Sequence, residues 1–177
     1  PAAAQPNEPL YVIDHPTAGM LPHGFYEIRG KIGPETSFLG GFRVGFKDRF
    51  QVGASFGAQN VLGYGSPDLN DKIGLQARVR VIEESNAPAF AIGFDSQGQG
   101  RYHGDYKRYD RKSPGLYFVV TKNYTFALGQ LTPNGGVSFT TEREDDNDPN
   151  IFFGLNWTIA NQVSILLDID AALNDNQ

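Results

Sequence analysis

Ile151-Phe152-Phe153-Gly154-Leu155-Asn156-Trp157-Thr158-Ile159 decides the fold. Every second residue gives Ile151, Phe153, Leu155, Trp157 and Ile159 on one side, with Gly154, Asn156 and Thr158 on the other. A period of two belongs to a β-strand, whose successive side chains point to opposite faces. One face is apolar throughout and the other holds glycine, amide and hydroxyl. Repeated around a sheet, this pattern describes a β-barrel with lipid outside and water or polar groups inside.

The same alternation recurs in both directions from this stretch. It predicts strands near 24–32, 37–47, 50–59, 72–82, 115–122, 131–141 and 151–159, with two more around Phe90-Phe94 and Val163-Ile169. Phe38, Phe42, Phe46, Phe50, Phe56, Phe90, Phe94, Phe153 and Trp157 fall on the apolar, lipid-facing side. Glu27, Arg29, Lys31, Arg43, Gln51, Gln76, Arg78, Arg80, Asp95, Asn156, Asp168 and Asp170 fall on the polar, lumen-facing side. Residues 1–21, rich in Pro and Ala, read as an extended lead-in, and 22–177 as the barrel domain. Short connections near 48, 85 and 161 alternate with longer ones near 65, 105 and 146, as in outer-membrane barrels with short periplasmic turns. The predicted fold is an all-β, antiparallel, up-and-down transmembrane barrel with about nine strands present. Single-chain bacterial barrels carry even strand numbers, so this portion is expected to belong to a larger, C-terminally continued barrel of about twelve strands.

Composition excludes several classes. A mean hydropathy of −0.38 suits strands that show only one face to lipid. No apolar run reaches the ~18 residues of a spanning helix. A net charge of −5 offers no basic stripe, so no nucleic-acid partner is expected. With 0 cysteines there is no thiol catalysis, disulfide framework or thiolate metal site.

Several stretches together resemble a known family. They are Pro16-Thr17-Ala18-Gly19, Gly40-Gly41-Phe42-Arg43-Val44-Gly45-Phe46 with Asp48-Arg49-Phe50, Ile82-Glu83-Glu84-Ser85, Ala91-Ile92-Gly93-Phe94-Asp95-Ser96-Gln97-Gly98 and Thr121-Lys122-Asn123-Tyr124. These look like bacterial outer-membrane β-barrel proteins of the YjbH-like kind, which include porin-like members from exopolysaccharide operons. The resemblance implies an outer-membrane location, a structural or channel-like role and a link to polysaccharide or envelope export. It implies partners among outer-membrane lipid and lipopolysaccharide, with a polysaccharide or envelope protein beside them. It supplies no catalytic residues and no cofactor.

The polar face is segregated by charge: Arg29, Lys31, Arg43, Arg78 and Arg80 on early strands, Asp95, Asp168 and Asp170 on later ones. This arrangement describes either a field across a pore or opposite charges that pair and fill a narrow barrel. Arg101, Tyr102, Tyr106, Lys107, Arg108 and Tyr109 interleave tyrosine with cation, a composition that stacks on sugars and grips anionic groups of a glycan or lipopolysaccharide. A solvated loop with interfacial tyrosines is the plainer reading of the same residues. Glu142, Glu144, Asp145, Asp146 and Asp148 lack the ordered spacing of a calcium loop, and His15, His23 and His103 have no metal-ligand spacing. The rival architecture is a secreted soluble barrel or sandwich that binds an apolar ligand or carbohydrate, with the phenylalanines turned inward.

Overall fold

The computed structural model describes residues 8–33, 37–62, 66–142, 148–160 and 162–174, and is built from strands. In chain order these are β1 (Tyr26–Ile32), β2 (Phe38–Phe46), β3 (Phe50–Gln59), β4 (Asp68–Leu69), β5 (Gly74–Ile82), β6 (Ala89–Asp95) and β7 (Gln99–His103). They continue as β8 (Arg108–Arg111), β9 (Gly115–Thr121), β10 (Tyr124–Phe126), β11 (Gly129–Phe139), β12 (Asn150–Ile159) and β13 (Val163–Asp170). One sheet runs β1-β2-β3-β5-β6-β9-β11-β12-β13, with β4 on β3 and β10 on β11. The β7–β8 hairpin forms its own two-stranded sheet.

Local chemistry accounts for the meander. Lys47 and Asp48 take φ of 51° and 57°, a left-handed pair that matches the twist of β2 and β3 and closes their hairpin tightly. Phe46 stands opposite Phe50, and Val44 opposite Val52, so the register places both apolar rows on one face. The ladder is thinnest between β9 and β11, where only Phe139 bridges Gly115 and Leu116, with a local parallel pattern at a bulge. At the other end Lys122 N–H donates to the Pro133 carbonyl, so the two strands run in opposite directions overall. N–H and C=O of one strand residue point the same way, so the N–H that Pro133 lacks falls on the β9 side.

The sheet is curled but not closed. Laid flat, β1 and β13 would stand ~38 Å apart at ~4.8 Å per strand. Instead one residue reaches both: the Ile13 N–H donates to Asp168 on β13 at 3.2 Å, and its carbonyl accepts from Arg29 on β1 at 2.6 Å. The expected barrel is therefore corrected to an open sheet, in which β1 and β13 are edges without a strand partner among the described residues. The nine-strand antiparallel path leaves β1 and β13 pointing the same way, so an antiparallel ladder between them is impossible.

Two further expectations change. The longer connection expected near 105 contains β7 and β8, and the link between the strands expected at 115–122 and 131–141 holds β10, a hairpin arm in which Tyr124 stands opposite Leu131. The buried apolar cluster is small and lies inside the curl, where Ala18 packs with Ala89, Ala91, Tyr117, Val119 and Phe152. The outer face, by contrast, leaves Phe42, Phe46, Phe50, Phe56, Phe153 and Trp157 exposed. Phe38, Phe90 and Phe94 are half-buried on that face.

Candidate functional site

The inner face is filled by residues 8–22. This segment is an internal hairpin: Tyr11 bridges Pro16, Thr17 N–H donates to the Leu10 carbonyl, and Val12 N–H donates to the His15 carbonyl. Its tip is Ile13-Asp14-His15, and both limbs leave by the end of the short turns. There Glu8 pairs with Arg80, and Asp48 accepts the His23 N–H at 2.7 Å. The segment enters and leaves by one end, so it does not cross the sheet. Gly45 makes its exit feasible, because a Cβ there would meet the Leu21 and Pro22 carbonyls.

Three arginines converge on one tyrosine of this hairpin. The guanidinium carbons of Arg29, Arg43 and Arg78 lie 4.2, 4.5 and 5.5 Å from the Tyr11 ring centre. Arg43 also donates to the Tyr11 hydroxyl at 2.7 Å and to Glu27 at 2.9 Å. Arg78 clamps both limbs by donating to the Leu10 and Gly19 carbonyls at 3.2 and 3.0 Å, while its Nε donates to the Tyr117 hydroxyl. Burial, opposed by Arg43, pushes the Tyr11 phenol well above its ordinary value, so it stays neutral.

The tip is held by carboxylates from β13. One oxygen of Asp168 accepts the N–H groups of Ile13, Asp14 and His15 at 3.2, 2.7 and 3.1 Å, and the other meets His15 Nδ1 at 2.7 Å. Asp170 lies 3.5 Å from His15 Nε2, and Phe152 stacks on the ring at 4.8 Å between centres. Burial lowers the imidazole pKa, but the bonds to Asp168 and Asp170 outweigh it and raise the value to about 9. Asp14 pairs with Lys31 and Arg111. Burial would raise its carboxyl, and those cations bring it below the usual range.

Of the polar residues expected on one face, Arg29, Lys31, Arg43, Arg78, Arg80, Asp168 and Asp170 meet the hairpin, and their pairing differs from a direct pairing across an empty interior. The basic strands receive their acids largely from the hairpin, Glu8 to Arg80 and Asp14 to Lys31, and the acidic strand receives His15. Gln51 accepts from Leu21, and Gln76 bridges Arg43 to Asp95, two further inward groups satisfied within the fold. Asn156 and Thr158 line a cavity of about 430 Å³ beside the hairpin base, and a second of about 490 Å³ lies beyond its tip.

The tyrosine-and-cation stretch is corrected in part. Tyr109 is fully buried, edge-on to Tyr102 at 4.9 Å, and cannot meet a glycan. Arg108 turns back onto the Tyr109 and Asp110 carbonyls, and Arg101 pairs with Asp68. Tyr106 and Lys107 remain exposed at the hairpin turn. Glu142, the first of the acids between 142 and 148, is buried and accepts the Tyr109 and Ser113 N–H groups at 2.9 and 2.7 Å. Burial and the Glu142 charge push the Tyr109 phenol up to about 12. Residues 144–146 lie outside the described residues. Among the described residues no group of acids and histidines has the arrangement of a metal site.

Tyr11, His15, Phe152, Tyr117 and the buried Glu142 organise this interior, although none of them stands among the residues that the sequence pattern assigned to the polar face. Comparison with protein-family models, with curated proteins and with solved structures gives no match.

Proposed function

We propose that this chain forms the wall of a transmembrane β-barrel in a bacterial outer membrane, its interior closed by its own N-terminal hairpin. The role is structural, an envelope component set among lipid and lipopolysaccharide, and not a freely open pore. The observation that carries this reading is the inversion of burial. Among the described residues thirty-three large hydrophobic side chains are exposed, whereas eleven hydrophobic residues are buried and four of those are alanines. A water-soluble domain rarely leaves so continuous an apolar surface uncovered. Strand length agrees: β2, β3, β5, β11 and β12 have 9 to 11 residues. At ~3.3 Å per residue and a tilt of ~40° such strands cover an apolar band ~25 Å tall. The resemblance to YjbH-like barrels and the order of short and long connections favour the same location. The rival, a soluble barrel that holds an apolar ligand, meets polar groups where that ligand would sit: Tyr11, three arginines and the carboxylates around His15.

Fractionation tests the reading. The native protein is expected in the outer-membrane fraction, with heat-modifiable migration on a gel, and Phe42→Arg is expected to cost ~2–4 kcal/mol of folding into lipid vesicles. In a soluble protein the same exposed substitution would change stability by only ~0.5 kcal/mol. Recovery in the soluble fraction without detergent, or a Phe42→Arg cost of that smaller size, would overturn it. A purified barrel is expected to be electrically silent in a planar bilayer, and steady conductance would remove the closed interior.

A further inference from the structure

The cavity of about 490 Å³ beyond the hairpin tip has the features of a ligand site. Its size falls within the ~300–1,000 Å³ of small-molecule pockets. Asp14 of the hairpin forms part of its lining, together with the inner faces of β1 to β3 and the Gln97–Gly100 stretch that leads into β7.

One side chain in it is unexplained by the fold. Gln59, the last residue of β3, is only 9% exposed and lines this cavity. Among the described residues its carboxamide has no hydrogen-bond partner, and it is not sealed off, so its polar atoms stay open to the cavity. The neighbouring amides are engaged: Gln97 accepts from Ser55 and donates to the Gly98 carbonyl, and Gln99 accepts from Lys31 at 3.0 Å. Gln59 thus offers a donor and an acceptor that no described residue uses.

The charges select the ligand class. Lys31 and Arg111 on the lining are balanced by Asp14 and Asp110: both cations pair with Asp14, and Asp110 is bonded to His103. No net charge is left to attract an anion or a cation. Gly57, Gly98 and Gly100 also line it, the space over their Cα atoms being taken by Asn70, Tyr109 and Asp110. We infer that this cavity binds a small neutral polyhydroxylated molecule, of the size of one or two sugar rings, through the Gln59 carboxamide. The site lies within the curl of the sheet and does not depend on what meets the outer face, so it stands or falls separately from the membrane reading.

Saturation-transfer NMR on the full chain, in a detergent without a sugar headgroup, tests the assignment with maltose as probe. Maltose is expected to receive saturation, and Gln59→Leu, which keeps the volume and removes the amide, is expected to reduce that signal at least fivefold. Gln130→Leu, which alters the other cavity, is expected to leave it unchanged. Gln59→Glu, an alternative where the leucine variant does not fold, is expected to weaken the signal as strongly. Digalacturonate, similar in size but anionic, is expected to give none. Absence of transfer to maltose, an undiminished signal in a folded Gln59 variant, or equal transfer to digalacturonate would each overturn the inference.

Discussion

His15 makes docking of the hairpin depend on pH, and the size of the effect follows from its surroundings. Its ring nitrogens face Asp168 and Asp170, and these contacts raise its pKa from 6.5 to about 9. The gap corresponds to ~3 kcal/mol of preference for the docked imidazolium, at ~1.4 kcal/mol per pH unit. A value raised on docking means that the contribution is complete below pH 6.5 and lost as pH rises through about 9. The other charged groups around the tip are Asp168 and Asp170 from β13, Arg111 from β8, Lys31 from β1 and Asp14 of the hairpin itself. The carboxylates and arginine are of types that do not ordinarily titrate near neutral pH. The tip amides of Ile13, Asp14 and His15 all donate to Asp168, so their hydrogen exchange reads the same event. After division by the intrinsic exchange rate, their opening equilibrium is expected to rise roughly 100-fold between pH 6.5 and 9.5. In His15→Gln the corrected opening is expected to be nearly flat over that range. Equal corrected protection at both pH values in the unaltered protein, or an equal rise in His15→Gln, would refute the reasoning.

Asp168→Asn keeps the shape of the tip clamp but removes the charge that serves three N–H groups and the imidazole. It is expected to weaken docking by ~2–3 kcal/mol, read as faster proteolysis within residues 8–22 while the far-ultraviolet dichroism of the sheet is unchanged. Gly93→Ala places a methyl group against the end of the Tyr117 ring, which is buried and bonded to Arg78. It is expected to destabilise the fold by ~1–3 kcal/mol in a denaturant titration, and a neutral result would show that Tyr117 can move aside.

The strands were legible because each buries one face and leaves the other apolar and exposed, and that contrast repeats every two residues. The stretch read as 37–47 is β2 at Phe38–Phe46, and that read as 50–59 is β3 at Phe50–Gln59. Within 151–159 the inward row begins with Phe152, whose aromatic character hides it beside Phe153, yet it is the surface on which His15 stacks. The hairpin was not legible, because residues 8–22 pair only briefly with themselves and otherwise with residues far along the chain. His15 and Asp168 are 153 positions apart. No local period can report such a contact. Closure was not legible either, since alternation fixes the faces of strands and not the curvature of the sheet they form.

The segregation of charge, visible in sequence, acquires a physical explanation from the register. Arg29 stands opposite Gly41, Arg43 opposite Gly53 and Arg78 opposite Gly93. Gly53 lets the Arg43 stem lie over β3, where a Cβ would meet it, and Gly93 makes room for the Tyr117 ring whose hydroxyl accepts from Arg78. The three guanidinium groups meet at one place, where like charges would repel without a group between them. Tyr11 is that group: its ring face attracts cations, and its hydroxyl accepts from Arg43. The same hairpin brings Glu8 and Asp14 to the basic strands and His15 to the acidic one. An interior with Arg29 and Lys31 on one edge strand and Asp168 and Asp170 on the other is thus built around an insert of matching charge. That insert holds two edges together that share no hydrogen bond of their own.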